Sequence, residues 1–364
     1  MQPYVGMIVP NNIYKQIPNM PPDVTCMFSL FEEAAQRNNV RLCYFTLSNI
    51  SPYKKTVKGF VKINNHYTIK ELPRPSVIYS RVLDHLPKFR EQIQSLVQQG
   101  VIIFNRPNYD VEKYTVHQLL EKHRTIRNHL PETLPLTFKN LRKMMNKFNS
   151  LILKTNYGER GIGAMKLDKI GDKWCLLYKN IGELDVKQVY FTNELPSVLL
   201  NRMKKRKYII QETISLATCK GSPFDMRVSV QKDKIGIFVV TGITCKVAKQ
   251  NDYLTNGSQG STTHRLEDIF SNTNIRPSIY QVKERIESFS LAIANYMNDV
   301  YPHLADLGFD IGVTKEGTPY FIECNFISDY LGGLIVDGKL LSKEWDIIFK
   351  TPIDYAKYLL ETKG

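Results

Sequence analysis

The chain has 364 residues, 43% of them hydrophobic and 23% charged, the composition of a globular protein with apolar material for two or three subdomains. Forty-nine basic residues against thirty-five acidic ones leave a formal net charge of +14, which calls for anionic partners such as nucleotide, phosphate, an acidic substrate or nucleic acid. No stretch approaches the roughly 20 apolar residues of a membrane span, and the N-terminus lacks a basic start, apolar run and cleavage site, so a cytoplasmic protein without membrane attachment is expected.

Near the start, "YVGMIVP" reads as a short strand, "MFSLFEEAAQRNN" as a helix stopped by Asn-Asn, and "VRLCYFTL" as a second strand. "SVIYSRV" and "GVIIFN" are further strands with the helical "PKFREQIQSLVQQ" between them. This alternation predicts a parallel sheet in a first α/β domain at 1–106. Beyond it, "VEKYTVHQLLEKH" is a helix, "LPETLPL" a connection, "TFKNLRKMMNKFN" a helix and "SLILKT" a strand. The glycine-containing "NYGERGIG" then leads into the strands "AMKLDKI", "KWCLLYK" and "KYIIQETI". After residue 215 come the strands "DMRVSVQ" and "KIGIFVVTGITCKVA", the polar loop "NDYLTNGSQGSTTH" and a long helix in "SIYQVKERIESFSLAIANYMNDV". The hairpin "LGFDIGVTKEGTPYFIECN" and the helical "WDIIFKTPIDYAKYLLETK" close the chain. Expected units are therefore 1–106, 107–215 and 216–364.

The six cysteines form no CxxC pair and sit mostly in apolar runs, so they are read as reduced, packed thiols. His117, His123 and His129 step by six, which keeps to no helical face, and are read as surface or partly packed residues. The basic cluster "NRMKKRKYII" has no interleaved aromatic platform and reads as a solvated helix end, which makes nucleic acid an unfavoured partner.

Four segments carry chemistry. Lys154 ends an apolar strand, and Gly158, Gly161 and Gly163 follow in a loop that lets backbone N–H groups approach anionic oxygens, with the lysine as a point charge for phosphate. The loop lacks the GK[ST] of a Walker A motif and runs into a strand, so a plain hairpin turn is an equal reading. Gln211 and Glu212 end a second apolar strand where an adenine edge and a ribose find partners; an ordinary strand terminus looks the same. Asp225 and Arg227 share a face of a third strand, as a phosphate- or carboxylate-binding arginine or as a structural Asp–Arg pair. In the hairpin, Glu323 and Asn325 face one side, and Asp310 can lie opposite Glu323 across the turn at 315–317. Three hard oxygen donors on one face suit Mg²⁺, and unpaired carboxylates in a core strand would otherwise be costly.

In this order the four segments resemble the ATP-grasp superfamily over about residues 106 to 330, most like its endospore-coat-associated branch in bacilli. The resemblance implies an ATP-grasp fold, α/β and α+β, preceded by a Rossmann-like α/β domain. It implies ATP and Mg²⁺ as cofactors. Lys113 and Lys154 would contact the nucleotide, Gly158 to Gly163 would close over the phosphates, and Gln211, Glu212 and Ile214 would line the adenine and ribose pocket. Arg227 would meet the γ-phosphate or an acyl phosphate, and Asp310, Glu323 and Asn325 would hold Mg²⁺. The segment "FISDYLGG" after Asn325 would shape an acceptor pocket, with bulky Phe326 and Ile327 at its start. The activity implied is a carboxylate–amine or carboxylate–thiol ligase acting on a small molecule or peptide. Two other readings stand beside it, a kinase for a hydroxyl acceptor and a nucleotide-binding spore-coat assembly protein without turnover.

Overall fold

A computed structural model describes residues 2–82, 87–106, 112–158, 161–183, 185–250, 252–327 and 334–362. The N-terminal sheet has the strand order His66–Pro73, Thr56–Ile63, Arg41–Phe45, Tyr4–Ile8, Val77–Ser80, Ile102–Phe104. The last four strands run parallel, as the strand–helix alternation requires. Their apolar runs are buried on both faces: Val5, Met7 and Tyr44 pack with helices Pro22–Arg37 and Asp346–Thr362, while Ile8, Cys43 and Ile78 pack with helix Pro87–Gln98. The antiparallel hairpin at the edge is not among the strands expected from the sequence. Its turn is nevertheless signalled by Asn64 and Asn65, both at positive φ, the geometry of a tight two-residue hairpin turn.

The second sheet is antiparallel, in the order Lys187–Phe191, Lys173–Tyr178, Met165–Ile170, Ser150–Thr155, Tyr208–Glu212, Thr133–Pro135. "LPETLPL", expected to be a connection, supplies its edge strand by pairing with Ile209–Gln211. Alternation decides what each strand offers. Leu151 and Leu153 turn to a core shared with Leu141, Met144 and Leu199 of helices Phe138–Lys147 and Ser197–Lys205. Ile152 and Lys154 therefore face the other side.

The third sheet runs Thr262–Arg265, Phe238–Val247, Ser222–Lys232, Asp306–Val313, Pro319–Asn325. Met226, Val228 and Val230 pack with Val282, Ile286 and Ile293 of helix Ile279–Val300. That helix begins at a capping box in which Ser278 and Gln281 satisfy each other's backbone N–H groups. Sheet two carries helices on one face and sheet three carries Ile279–Val300 on one face; their other faces turn to a common cleft, with helix Asp346–Thr362 covering the Gln231 and Gly242 end of sheet three. The six cysteines are free thiols. Among the described residues no helix is long and apolar enough to cross a membrane.

The seam between the first and third sheets is polar and buried. Asn105, at φ +52°, donates to the carbonyls of Asp306 and Phe326, each at 2.8 Å, and accepts from the N–H groups of Ala305 and Asp306, each at 3.0 Å. Asp306 in turn accepts from the Tyr79 hydroxyl and, at 2.9 Å, from Gln231. Asn105→Ala removes four hydrogen bonds from a buried seam and keeps a side chain at positive φ. Urea unfolding is expected to show a loss of about 2–4 kcal/mol; a change within about 0.5 kcal/mol would mean the seam is not what joins the two sheets.

Candidate functional site

A cleft of about 1770 Å³ opens between sheets two and three and extends to the carboxyl ends of the N-terminal strands. Lys113, His117, Lys154, Ile209 and Gln211 line one wall, and Arg227, Lys246, Asp310, Glu323 and Asn325 line the other. Its far end is bounded by Val9, Thr46 and Arg81, which follow strands of the first sheet. Ligands of open α/β sheets collect at such strand ends.

The wall formed by sheet three carries a connected set of charges. Arg227 donates through Nε to Asp310 Oδ1 at 2.7 Å and through Nη2 to Oδ2 at 3.4 Å. Lys246 Nζ sits 2.8 Å from Asp225 Oδ1 and 3.1 Å from Asp310 Oδ1, and Thr255 donates its hydroxyl to Asp225. Strand register puts these groups together: Asp225 pairs with Lys246, Arg227 with Asp310, and Asp310 with Glu323. Burial pushes the Asp310 carboxyl up, but Arg227 and Lys246 outweigh it and hold the group well below the usual carboxylate range. Asp225 goes the other way, because burial and the neighbouring Asp310 exceed the attraction of Lys246. Across the cleft Lys113 Nζ lies 3.1 Å from Glu323 Oε1 and also donates to the Gly158 carbonyl. Burial pushes the Lys154 ammonium down, with Glu323 opposing.

Most of the expected residues therefore converge. Lys113, Lys154, Gly158, Gln211, Arg227, Asp310, Glu323 and Asn325 all line the cleft. Glu212 and Ile214 fall at and beyond the end of their strand, outside that lining, as do Gly161 and Gly163. Three expectations need correction. The carboxylates are not unpaired, since Asp310 and Glu323 each have a cation. The Asp–Arg pair joins Arg227 to Asp310, while Asp225 holds Lys246. His117 is also no surface residue: it is 4% exposed, in the cleft wall. Its signal was its position four residues after Lys113, on the same helical face. Lys246, inside the apolar run "ITCKVA", was legible only through its register opposite Asp225.

The glycine loop is tied at both ends. Tyr208 and Arg202 donate to the Gly163 carbonyl at 3.1 and 3.4 Å, and Tyr253 donates to that of Ala164 at 2.9 Å. Gly161, at φ +66°, holds a backbone conformation that side-chain-bearing residues rarely adopt, and a Cβ there would push the Asn256 side-chain oxygen, 2.5 Å away, aside. Lys179, just after strand Lys173–Tyr178, and Asp252, four residues before Asn256, are both almost fully buried and form an ion pair. Arg160 of this loop and residues 328–333 of the expected acceptor segment lie outside the described residues. Phe326 turns into the core, edge-on to Tyr301.

The donor set fits Mg²⁺ by type: two carboxylates in direct register and an amide oxygen on the same face. Among the described residues no three His, Cys, Asp or Glu converge as a metal cluster, so Asn325 would complete the set. Lys246→Met leaves Asp225 and Asp310 facing each other without their shared cation. Urea unfolding at pH 7 is expected to show a loss of about 3 kcal/mol. In that variant the Asp225 carboxyl, already above its unfolded value, loses its main cation and rises further, so its protonation favours the fold. The deficit should shrink at pH 4.5; a deficit that stays equal or grows on acidification would contradict the pairing.

Residues 100–359 match the family model described as YheC/D like ATP-grasp. Two proteins of Bacillus subtilis (strain 168) are similar to the chain. Endospore coat-associated protein YheD is 23% identical over 316 residues, covering 84% of this chain and 68% of that protein. Endospore coat-associated protein YheC is 23% identical over 294 residues, covering 79% and 80%. Among solved structures, the ATP-grasp ligase PsnB complexed with a phosphomimetic variant of its minimal precursor, Mg and ADP superposes with a TM-score of 0.54 at 12% identity, covering 98% of this chain and 99% of that one. PsnB complexed with its minimal precursor gives 0.50 at 14% identity, covering 93% and 96%. At these identities the likeness is one of fold.

Proposed function

Because the chain belongs to the YheC/D-like ATP-grasp family, we propose that it is an ATP- and Mg²⁺-dependent ligase joining a carboxylate to an amine or a thiol. The observation that carries this reading is the convergence of Lys113, Lys154 and Arg227 with the acidic hairpin of Asp310, Glu323 and Asn325 in one cleft. Lys113 and Lys154 would hold the phosphates, with Gly158, Gly161 and Gly163 covering them. Gln211, Glu212 and Ile214 would flank the base and ribose. Asp310, Glu323 and Asn325 would hold Mg²⁺, which when bound neutralises phosphate oxygens. The three units divide near residues 106 and 215, and the acceptor would sit where the cleft meets the N-terminal strand ends.

The chemistry needs positioning more than a protein nucleophile. An acceptor carboxylate oxygen attacks the γ-phosphorus of ATP, the bond to the bridging oxygen breaks, and ADP departs. The amine or thiol then attacks the acyl carbon, phosphate leaves, and the attacking group's proton passes to solvent. Arg227 faces the charge that develops on the transferring phosphoryl group. A peptide acceptor accords with the PsnB complexes, which contain precursor peptide, and a coat protein accords with the names of the relatives. Free thiols accord with a cytoplasmic setting.

Purified protein incubated with Mg-ATP, carboxylate candidates and hydroxylamine is expected to release ADP and form a hydroxamate. A phosphorylated hydroxyl product would establish a kinase instead, and nucleotide binding without consumption would favour an assembly role. Arg227→Met should bind Mg-ATP nearly as the wild type does, yet lose on the order of a hundredfold in turnover. An unchanged rate would remove Arg227 from the reaction.

A further inference from the structure

We propose that His117 selects adenine, its Nδ1 accepting a hydrogen bond from the exocyclic 6-amino group of the bound base. The inference rests on the cleft being an ATP site. His117 lies one helical turn beyond Lys113 on helix Lys113–Glu121 and lines the cleft with Ile209 and Gln211. Its Nε2 is 2.8 Å from the carbonyl oxygen of Pro131. A carbonyl only accepts, so Nε2 carries the hydrogen and Nδ1 is left as a lone pair.

That Nδ1 is buried and, among the described residues, has no partner, in a residue only 4% exposed. The surrounding hydrogen bonds are already committed. Thr133 donates to the same Pro131 carbonyl at 2.8 Å, and Gln211 donates to Thr133 at 2.9 Å. Both lone pairs of Pro131 are thus in use, and the ring is held in one tautomer. An unsatisfied buried acceptor calls for a donor. Burial also pushes this imidazole below its ordinary range, which keeps it neutral.

The chemistry of the ligand narrows the choice. Phosphate oxygens offer no hydrogen, so Nδ1 does not serve the phosphate end marked by Lys113 and Lys154. The donors of ATP are the 6-amino group and the ribose hydroxyls. Ile209, which lines the same cleft, gives the apolar wall that a flat base needs, which favours the amino group. A 6-oxo purine would present an acceptor to an acceptor and be rejected.

Calorimetric titration with Mg-ATP, Mg-ITP, the triphosphate of purine riboside (no 6-substituent) and Mg-2′-deoxy-ATP tests this. Wild-type protein is expected to bind ATP and 2′-deoxy-ATP alike, and ITP and the unsubstituted purine on the order of tenfold or more weaker. In His117→Leu that preference should fall to near one. Should the variant not fold, the wild-type series still decides. Equal binding of ATP, ITP and the unsubstituted purine overturns the role of His117 while leaving the ATP site intact. A loss confined to 2′-deoxy-ATP overturns it in favour of a ribose contact. No binding of any nucleotide overturns both this inference and the reading beneath it.

Discussion

Ionised side chains in a half-buried sheet must be neutralised where they stand, and the cleft wall is built around that constraint. Four cations, Lys113, Lys154, Arg227 and Lys246, meet three carboxylates, Asp225, Asp310 and Glu323. The antiparallel register places Asp225 beside Lys246 and Arg227 beside Asp310, so the desolvation cost of these four is offset by a neighbour on the next strand, while Lys113 reaches Glu323 from its helix. One positive charge remains in excess, at the centre of a cleft proposed to hold a polyanion. The carboxylates that would bind a metal are held meanwhile by Arg227, Lys246 and Lys113. Binding then becomes an exchange of partners and spares the protein a pair of exposed, mutually repelling acids.

The same economy governs how the walls are held. The second and third sheets meet through the buried pair of Lys179 and Asp252, through Tyr253 on the Ala164 carbonyl, and through Asn256 against Gly161. The first and third sheets meet through Asn105, Asp306 and Tyr79. These contacts are polar and directional, and between the first and third sheets they accompany the apolar packing of helix Asp346–Thr362. Such contacts fix the spacing of the walls without filling the cleft with apolar side chains.

The parallel N-terminal sheet was legible because its strands are continuous apolar runs separated by helical periodicity. The acidic hairpin was legible because Glu323 and Asn325 share a face by spacing alone. Edge strands were not: Thr133–Pro135 and Thr262–Arg265 are short and polar, and only pairing to a neighbour makes them strands. Lys246 and His117 were missed for a related reason. A lysine within "ITCKVA" and a histidine within "YTVHQLL" look like exceptions in apolar segments until their partners, Asp225 and the Pro131 carbonyl, arrive from elsewhere in the chain. The alternative reading of Arg227 as half of an Asp225–Arg227 pair fails because spacing pairs residues on one strand, while the contact lies across to Asp310 on the next.

The paired carboxylates of the hairpin are proposed to become metal ligands only when a nucleotide is present. Mn²⁺ in place of Mg²⁺ makes this visible, since free Mn²⁺ is counted directly by its paramagnetic resonance signal. Titrated alone, the protein is expected to bind Mn²⁺ weakly, because Arg227, Lys246 and Lys113 hold Asp310 and Glu323. With ADP added, one Mn²⁺ per chain should disappear from solution beyond what ADP alone removes. Equal Mn²⁺ binding with and without ADP, or none in either case, would contradict the account.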